Sequence, residues 1–142
     1  MWWPFRKAAR DGEPRHLRVG EWGEAEAARY LKKQGFKVLG RRVRIGRSDE
    51  LDLVCRDGVA LVFVEVKTRR SEAFGRAASA VDRRKRLALS RAAIRYLKRL
   101  KEQPDCFRFD VVEVIGSPEE GVETVRHIEN VFPLEGRLRP PP

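Results

Sequence analysis

Two carboxylates and a lysine lie in two apolar segments of the chain. Glu65 and Lys67 stand two positions apart in residues 61–67 (LVFVEVK), and Asp52 lies in residues 50–55 (ELDLVC). Apolar runs of this length are typical of buried β-strands, where a charge is costly unless it is paired, hydrated or bound to metal. Side chains alternate along a strand, so we expect Glu65 and Lys67 on one face, about 6–7 Å apart.

A short turn brings the two segments together. Residues Arg56, Asp57 and Gly58 separate them, and Asp-Gly is a strong hairpin signal. Asp52 is therefore expected beside Glu65. Such a carboxylate pair suits Mg²⁺ or Mn²⁺, which binds through one or two carboxylates, keeps several waters and accepts phosphate oxygens.

The remaining groups complete a site for phosphodiester hydrolysis. We expect the backbone carbonyl of Val66 as a further metal ligand, and Glu24, from a preceding helix, as the holder of a metal-bound water. Lys67 would orient the attacking water or neutralise charge that develops on the phosphate. The alternative is an ion pair between Glu65 and Lys67 on an edge strand. Apolar residues on both faces of the segment favour a central strand, but E-x-K is short and spacing alone leaves both possibilities open.

A set of motifs in order resembles the YraN-like family, small bacterial proteins predicted to share the restriction-endonuclease-like, PD-(D/E)XK fold and similar to archaeal Holliday-junction resolvases. The resemblance spans roughly residues 18–132 and rests on Gly20, Glu24, Ala28 and Leu31, on residues 49–53 and 63–69, on Val81 and Lys85, and on residues 108–112. It implies an α/β, three-layer sandwich with a central mixed β-sheet flanked by helices.

The same resemblance assigns roles to residues. It implies Asp52, Glu65 and Lys67 as the signature triad, Glu24 as the helix carboxylate and Lys85 as a phosphate contact. One position departs from the family, which usually has glycine where this chain has Asp49, and backbone freedom is lost there.

The charge of the chain predicts a polyanionic partner. Its 31 basic and 21 acidic residues give a net charge of +10, which suits nucleic acid or an anionic membrane surface. No run of 18 apolar residues exists, so nothing in the chain is expected to span a membrane. A membrane surface is not expected as a partner either, because the apolar stripe of the helix expected at residues 80–101 is better explained by packing on the sheet. That stripe consists of Leu89, Ala92, Ala93, Tyr96, Leu97 and Leu100. We expect DNA, contacted by Arg69, Arg84, Lys85 and Arg91, although a solvated basic helix face is the alternative.

These observations predict a cytoplasmic, metal-dependent endonuclease acting on DNA, with branched or damaged DNA as candidate substrates. The alternative is a non-cleaving nucleic-acid-binding module that retains the fold. A homodimer is expected if both strands of a junction are cut. Cys55 and Cys106 are predicted to be reduced and buried, in keeping with the cytosol.

The organisation of the chain is predicted in three parts. Residues 1–19 form a basic, flexible arm, residues 20–132 a single domain, and residues 133–142 a Pro-rich, disordered tail. Helices are expected at about residues 21–34 and 80–101. Besides the two central segments, strands are expected from Phe36, at residues 108–115 and at residues 123–132.

Overall fold

The computed structural model of the chain describes residues 14–71, 81–135 and 138–142. Its elements are α1 (Arg15–Lys33), β1 (Lys37–Ile45), β2 (Asp49–Asp57), β3 (Ala60–Arg69), α2 (Arg83–Lys98), β4 (Cys106–Ser117) and β5 (Gly121–Ile128). The predicted order of one helix, three strands, one helix and two strands is confirmed. The strand expected from Phe36 is β1, which begins at Lys37 and includes the basic residues Arg41, Arg42 and Arg44.

The five strands form one sheet in the order β1-β2-β3-β4-β5. The β3–β4 pair is parallel and the other pairs are antiparallel. The sheet is therefore mixed, as predicted, and α2 is the crossover between its two parallel strands. The fold is of the α/β class.

One helix packs on each face of the sheet. Leu61 and Phe63 join the apolar cluster that contains the buried side of α2, whereas Val62 and Val64 join the cluster that contains α1. This alternation confirms β3 as a central strand covered on both sides, so the edge-strand alternative does not apply. Glu65, which follows Phe63 at period two, lies on the α2 face.

Helix α1 lies in close contact with β3 at Gly23. A Cβ atom on Gly23 would lie 1.8 Å from the Thr68 Oγ1 atom of β3. Only glycine allows the helix to approach this strand so closely, and the next residue of the helix is Glu24. Among the described residues, no helix has the length and apolar character needed to cross a membrane.

Some predicted boundaries are wrong. Helix α1 begins at Arg15, so the last five residues of the predicted arm are helical. Pro14 precedes the first helical residue, where its missing N–H costs nothing. The rest of the predicted arm, residues 1–13, and the expected start of the second helix at residue 80 lie outside the described residues. Helix α2 begins three residues later than predicted because Asp82 caps it, its carboxylate accepting the Lys85 N–H at 2.8 Å.

Two further predictions differ from the structure. Cys55 is buried, but Cys106 is exposed because it is the first residue of β4. The start of the predicted tail packs on α2: Leu134 contacts the apolar cluster, and the Glu135 N–H donates to Ser90 Oγ at 3.1 Å.

Candidate functional site

The site forms where β2 separates from β3. The two strands pair from Asp57 and Ala60 as far as Leu53 and Val64, and the ladder ends there. One residue beyond, the Asp52 carboxylate accepts a hydrogen bond from the Val66 N–H at 2.9 Å. A side chain therefore takes the place of a backbone acceptor, and this bond fixes Asp52 against the central strand.

Asp52 and Glu65 lie side by side, as the hairpin predicted. Burial and the nearby charge of Glu65 raise the pKa of Asp52 to about 7. The Val66 N–H and the Lys85 ammonium oppose this rise. A bound cation would stabilise such a pair, because it favours the ionised form of both carboxylates.

Two lysines converge on the same carboxylate oxygen. Lys67 Nζ from β3 and Lys85 Nζ from α2 each lie 3.5 Å from Glu65 Oε1. Glu65 is only 5% exposed, so this double ion pair neutralises a charge that burial alone would make costly. The resemblance assigned Lys85 to phosphate; the structure places its ammonium on Glu65.

The pair of carboxylates fits a divalent ion. The second oxygen of Glu65, Oε2, is buried and has no hydrogen-bond partner, and an unsatisfied buried carboxylate oxygen is a ready ligand. No group of three His, Cys, Asp or Glu side chains with metal-site geometry occurs in residues 14–71, 81–135 and 138–142. Two carboxylates are sufficient for Mg²⁺, whose other ligands are water and substrate oxygens. The Val66 carbonyl remains a predicted ligand.

Glu24 is engaged elsewhere. Its Oε2 atom accepts a hydrogen bond from Arg42 Nε at 2.5 Å, and Arg42 also pairs with Glu21 at 3.4 Å. Burial raises the pKa of Glu24, Arg42 lowers it, and the charge of Asp52 raises it again. Glu24 therefore feels the charge of Asp52, but the structure does not join it to the two carboxylates in one cluster.

The contact between Arg42 and Glu24 was not expected from the sequence. The φ of Arg42, 45°, lies in the left-handed region, which is uncommon for a residue other than glycine, asparagine or aspartate. Both Arg41 and Arg42 reach α1: Arg41 Nη2 donates to the Glu21 carbonyl at 3.3 Å. Consecutive strand residues normally point to opposite faces, and the positive φ of Arg42 accounts for this exception. No pattern in the sequence marks that angle.

A cleft opens beside the carboxylates. It has a volume of about 200 Å³ and runs between the start of β2 and the first half of α2. Its walls include Asp52, Lys85, Asp49 and Leu89. A group bound to Asp52 can therefore be approached from solvent along α2.

The structure disperses the residues predicted to bind nucleic acid. Arg84 is exposed in the first turn of α2, and Arg69 is the half-buried last residue of β3. Arg91 lies further along α2, where its Nη2 atom is 3.3 Å from Asp49 Oδ1. Of the four, Lys85 lines the cleft, and its ammonium lies on Glu65.

A second buried carboxylate has a structural environment. Asp110 in β4 bonds Arg108 Nε at 3.0 Å, His127 Nε2 at 2.7 Å and the Asn130 N–H at 3.0 Å. These partners hold the pKa of Asp110 below its usual value although burial raises it. A carboxylate with this many donors is already satisfied by the protein, which indicates a structural role.

Comparisons with known proteins agree on one family. The sequence profile of Uncharacterised protein family UPF0102 matches residues 23–114. A UPF0102 protein of Symbiobacterium thermophilum is 48% identical over 115 residues, which are 81% of this chain and 96% of that protein. A UPF0102 protein of Syntrophomonas wolfei is 46% identical, over 80% of this chain and 96% of its own length. One of Geotalea daltonii is 40% identical, over 87% and 96%.

Proposed function

We propose that this chain, which belongs to the UPF0102 family, is a metal-dependent nuclease that hydrolyses phosphodiester bonds in DNA. It is the YraN-like family that the sequence motifs predicted. The names of the relatives give no activity, so the proposal rests on the site and its surroundings. Within the α/β class, we assign the mixed sheet and its two flanking helices to the restriction-endonuclease-like sandwich.

One observation carries the proposal. Glu65 is buried and the half-buried Asp52 lies beside it, and Glu65 Oε2 has no hydrogen-bond partner. Lys67 and Lys85 pair with Oε1 of Glu65, but two carboxylates at close range still cannot both ionise easily without a further cation. Mg²⁺ or Mn²⁺ held by Asp52 and Glu65 would polarise the phosphoryl group and lower the pKa of a bound water.

The other residues have roles that follow from their positions. The Val66 N–H holds the Asp52 carboxylate in place, so the ligand does not have to be ordered when a cation binds. Lys67 lies next to the two carboxylates, with its Nζ atom 3.5 Å from Glu65 Oε1. It can turn from Glu65 to the phosphate and stabilise the negative charge that develops there.

The surface around the cleft favours a nucleic acid as the substrate. Of the residues of α2, Arg84, Arg91 and Arg95 are exposed and basic, and the net charge of the whole chain is +10. Contacts of this type go to backbone phosphates and give affinity that falls with salt, without reading the sequence. Branched and damaged DNA are therefore candidate substrates alongside simple duplexes.

The test is cleavage of purified DNA. The protein is incubated with supercoiled, single-stranded and four-way-junction DNA in Mg²⁺, in Mn²⁺ and in chelator. We expect metal-dependent nicking of at least one substrate, and its loss in Asp52→Asn. The matched control is Asp57→Asn, a half-buried carboxylate at the other end of β2 that pairs with Arg108. Absence of metal-dependent cleavage at high protein concentration contradicts the proposal.

A second candidate is a DNA-binding module that does not cleave. It is favoured by the absence of a three-ligand metal group among the described residues and by the pairing of Glu24 with Arg42. Calorimetry with Mn²⁺ separates the two: a binding module holds no Mn²⁺ that depends on Asp52, whereas a nuclease loses its bound Mn²⁺ in Asp52→Asn.

A further inference from the structure

Two arginines of α2 are held in place by the turn between β1 and β2. Arg91 Nη2 lies 3.3 Å from Asp49 Oδ1, and Arg95 Nη1 lies 3.7 Å from Asp49 Oδ2. The Asp49 side chain is only 8% exposed, whereas the two arginine side chains are 48% and 49% exposed. One carboxylate thus pairs with two guanidinium groups, each on a half-exposed side chain.

Gly46 makes room for one of these groups. A Cβ atom at this position would lie 2.4 Å from Arg95 Nη1, and the φ of Gly46 is +68°. The backbone conformation favours glycine. A side chain at residue 46 would also force the flexible end of Arg95 to move away from its present position.

The group formed by Asp49, Arg91 and Arg95 keeps a net positive charge. Two arginines and one aspartate leave a net charge of +1, and the guanidinium fork matches the geometry of phosphate oxygens. Asp49, which pairs with both arginines, is part of the wall of the cleft that also contains Asp52, so the group lies beside this cleft. Arg91 follows Lys85 by six residues along α2, which corresponds to about 9 Å of helix.

We infer that Arg91 and Arg95, oriented by Asp49 above Gly46, bind a second backbone phosphate of the nucleic acid strand whose scissile bond lies at Asp52 and Glu65. At a rise of about 3.4 Å per nucleotide along each strand, 9 Å corresponds to about two to three nucleotides. The site fixes where the strand crosses the cleft and gives no base specificity. The inference rests on the proposed function for the identity of the strand.

The experiment measures binding in chelator, so that it does not depend on cleavage. A fluorescein-labelled single-stranded oligonucleotide is titrated by anisotropy at several salt concentrations with the wild type and with Arg91→Gln/Arg95→Gln. We expect the affinity to fall about tenfold or more, because charge-assisted hydrogen bonds to phosphate are removed. The slope of log affinity against log salt should decrease by about 0.7 for each phosphate that the variant no longer neutralises.

Two further variants separate a site from general attraction. Lys98→Gln/Arg99→Gln removes the same charge from the exposed C-terminal end of α2, and we expect a much smaller loss of affinity. Gly46→Ala keeps every charge but displaces Arg95, and we expect it to weaken binding while thermal melting reports a folded chain. Equal losses in the two charge variants, or unchanged binding in Gly46→Ala, overturn the inference.

A substrate with a single phosphodiester tests whether the two arginines act only through a second phosphate. Bis-p-nitrophenyl phosphate has no neighbouring phosphate, so Arg91→Gln/Arg95→Gln should hydrolyse it with Mn²⁺ as fast as the wild type does. An equal fall in the rates on this compound and on the oligonucleotide overturns the inference. If the wild type binds the oligonucleotide but hydrolyses neither compound, the proposed nuclease fails and the phosphate site is still judged by binding alone.

Discussion

The Asp52 carboxylate accepts the backbone N–H of Val66 at 2.9 Å, at the point where the ladder between β2 and β3 ends. A strand that diverges from its neighbour leaves an N–H group without a backbone partner, and a buried group of this kind is costly. Here the divergence creates the site, because it opens space next to Glu65 and directs a carboxylate into it. The chemistry and the local fold therefore depend on the same residue.

The raised pKa of Asp52 predicts how stability changes with pH. A carboxyl group whose pKa rises from about 4 in the unfolded chain to about 7 when folded binds its proton more tightly in the folded state. Its contribution to stability is full below pH 4 and is lost as the pH rises through 7. We expect the free energy of unfolding of the wild type, relative to Asp52→Asn, to fall over this range in urea titrations. An unchanged difference between the two proteins across the range contradicts the prediction.

The same protonation should oppose metal binding. A protonated Asp52 must lose its proton before it binds a cation, so binding releases protons and weakens below pH 7. Calorimetry with Mn²⁺ in buffers of different ionisation enthalpy measures the number of protons released. We expect release to be greatest below pH 7 and to vanish in Asp52→Asn; Mn²⁺ binding without proton release at pH 6 contradicts the assignment of Asp52 as a ligand.

Lys67→Ala distinguishes a catalytic lysine from a structural one. Removal of one preorganised charge from a site of this kind costs ~10²–10³ in rate, so we expect cleavage of DNA to be lost while binding is retained. Stability should change little, because Lys85 remains on Glu65. If Lys67 were instead the essential partner of a buried carboxylate, the variant would lose about 3–5 kcal/mol of stability. Thermal melting and cleavage rates of this variant are measured together.

Lys85 should compete with a bound cation. Its ammonium occupies Glu65 Oε1 and partly neutralises the charge that would attract Mn²⁺. We expect Lys85→Met to melt at a lower temperature without metal, to gain more stability from Mn²⁺ than the wild type does, and to bind it about tenfold more tightly. Arg84→Met, an exposed neighbour on the same turn, is the control. A weaker affinity for Mn²⁺ in Lys85→Met would mean that the lysine supports the metal site.

Much of the site could be predicted from the sequence because it lies in regular strands. The period of two put Glu65 and Lys67 on one face, and the Asp-Gly turn brought Asp52 beside them. The apolar stripe of α2 was also predicted correctly: Leu89, Ala92, Ala93 and Leu97 are buried in the core. In each case local periodicity and a short connection determine the neighbours.

The remaining contacts depend on geometry that has no local pattern. The pairing of Glu24 with Arg42 requires a positive φ in β1, and arginine gives no indication of that angle. The ion pairs of Asp49 with Arg91 and Arg95 form only because the turn between β1 and β2 lies next to α2. Lys85 could have been placed better, because Asp82 is a strong helix cap and puts Lys85 in the first turn. Long-range contacts between separate elements are where the sequence carried least information.

The ion pair between Glu24 and Arg42 gives a prediction that separates charge from backbone strain. Arg42→Ala removes the partner of a buried carboxylate and keeps a Cβ at a φ of 45°, so we expect a loss of about 2 kcal/mol. Arg42→Gly removes the same partner but suits the left-handed conformation, and should be the more stable of the two by about 1 kcal/mol. Urea unfolding of both variants measures the difference, with Arg44→Ala and Arg44→Gly, at an exposed strand position, as the matched pair. There the order should reverse, because glycine is unfavourable in an ordinary strand. If Arg42→Gly is the less stable variant, the positive φ is not maintained by the contact with Glu24, and the pair does not shape this part of β1.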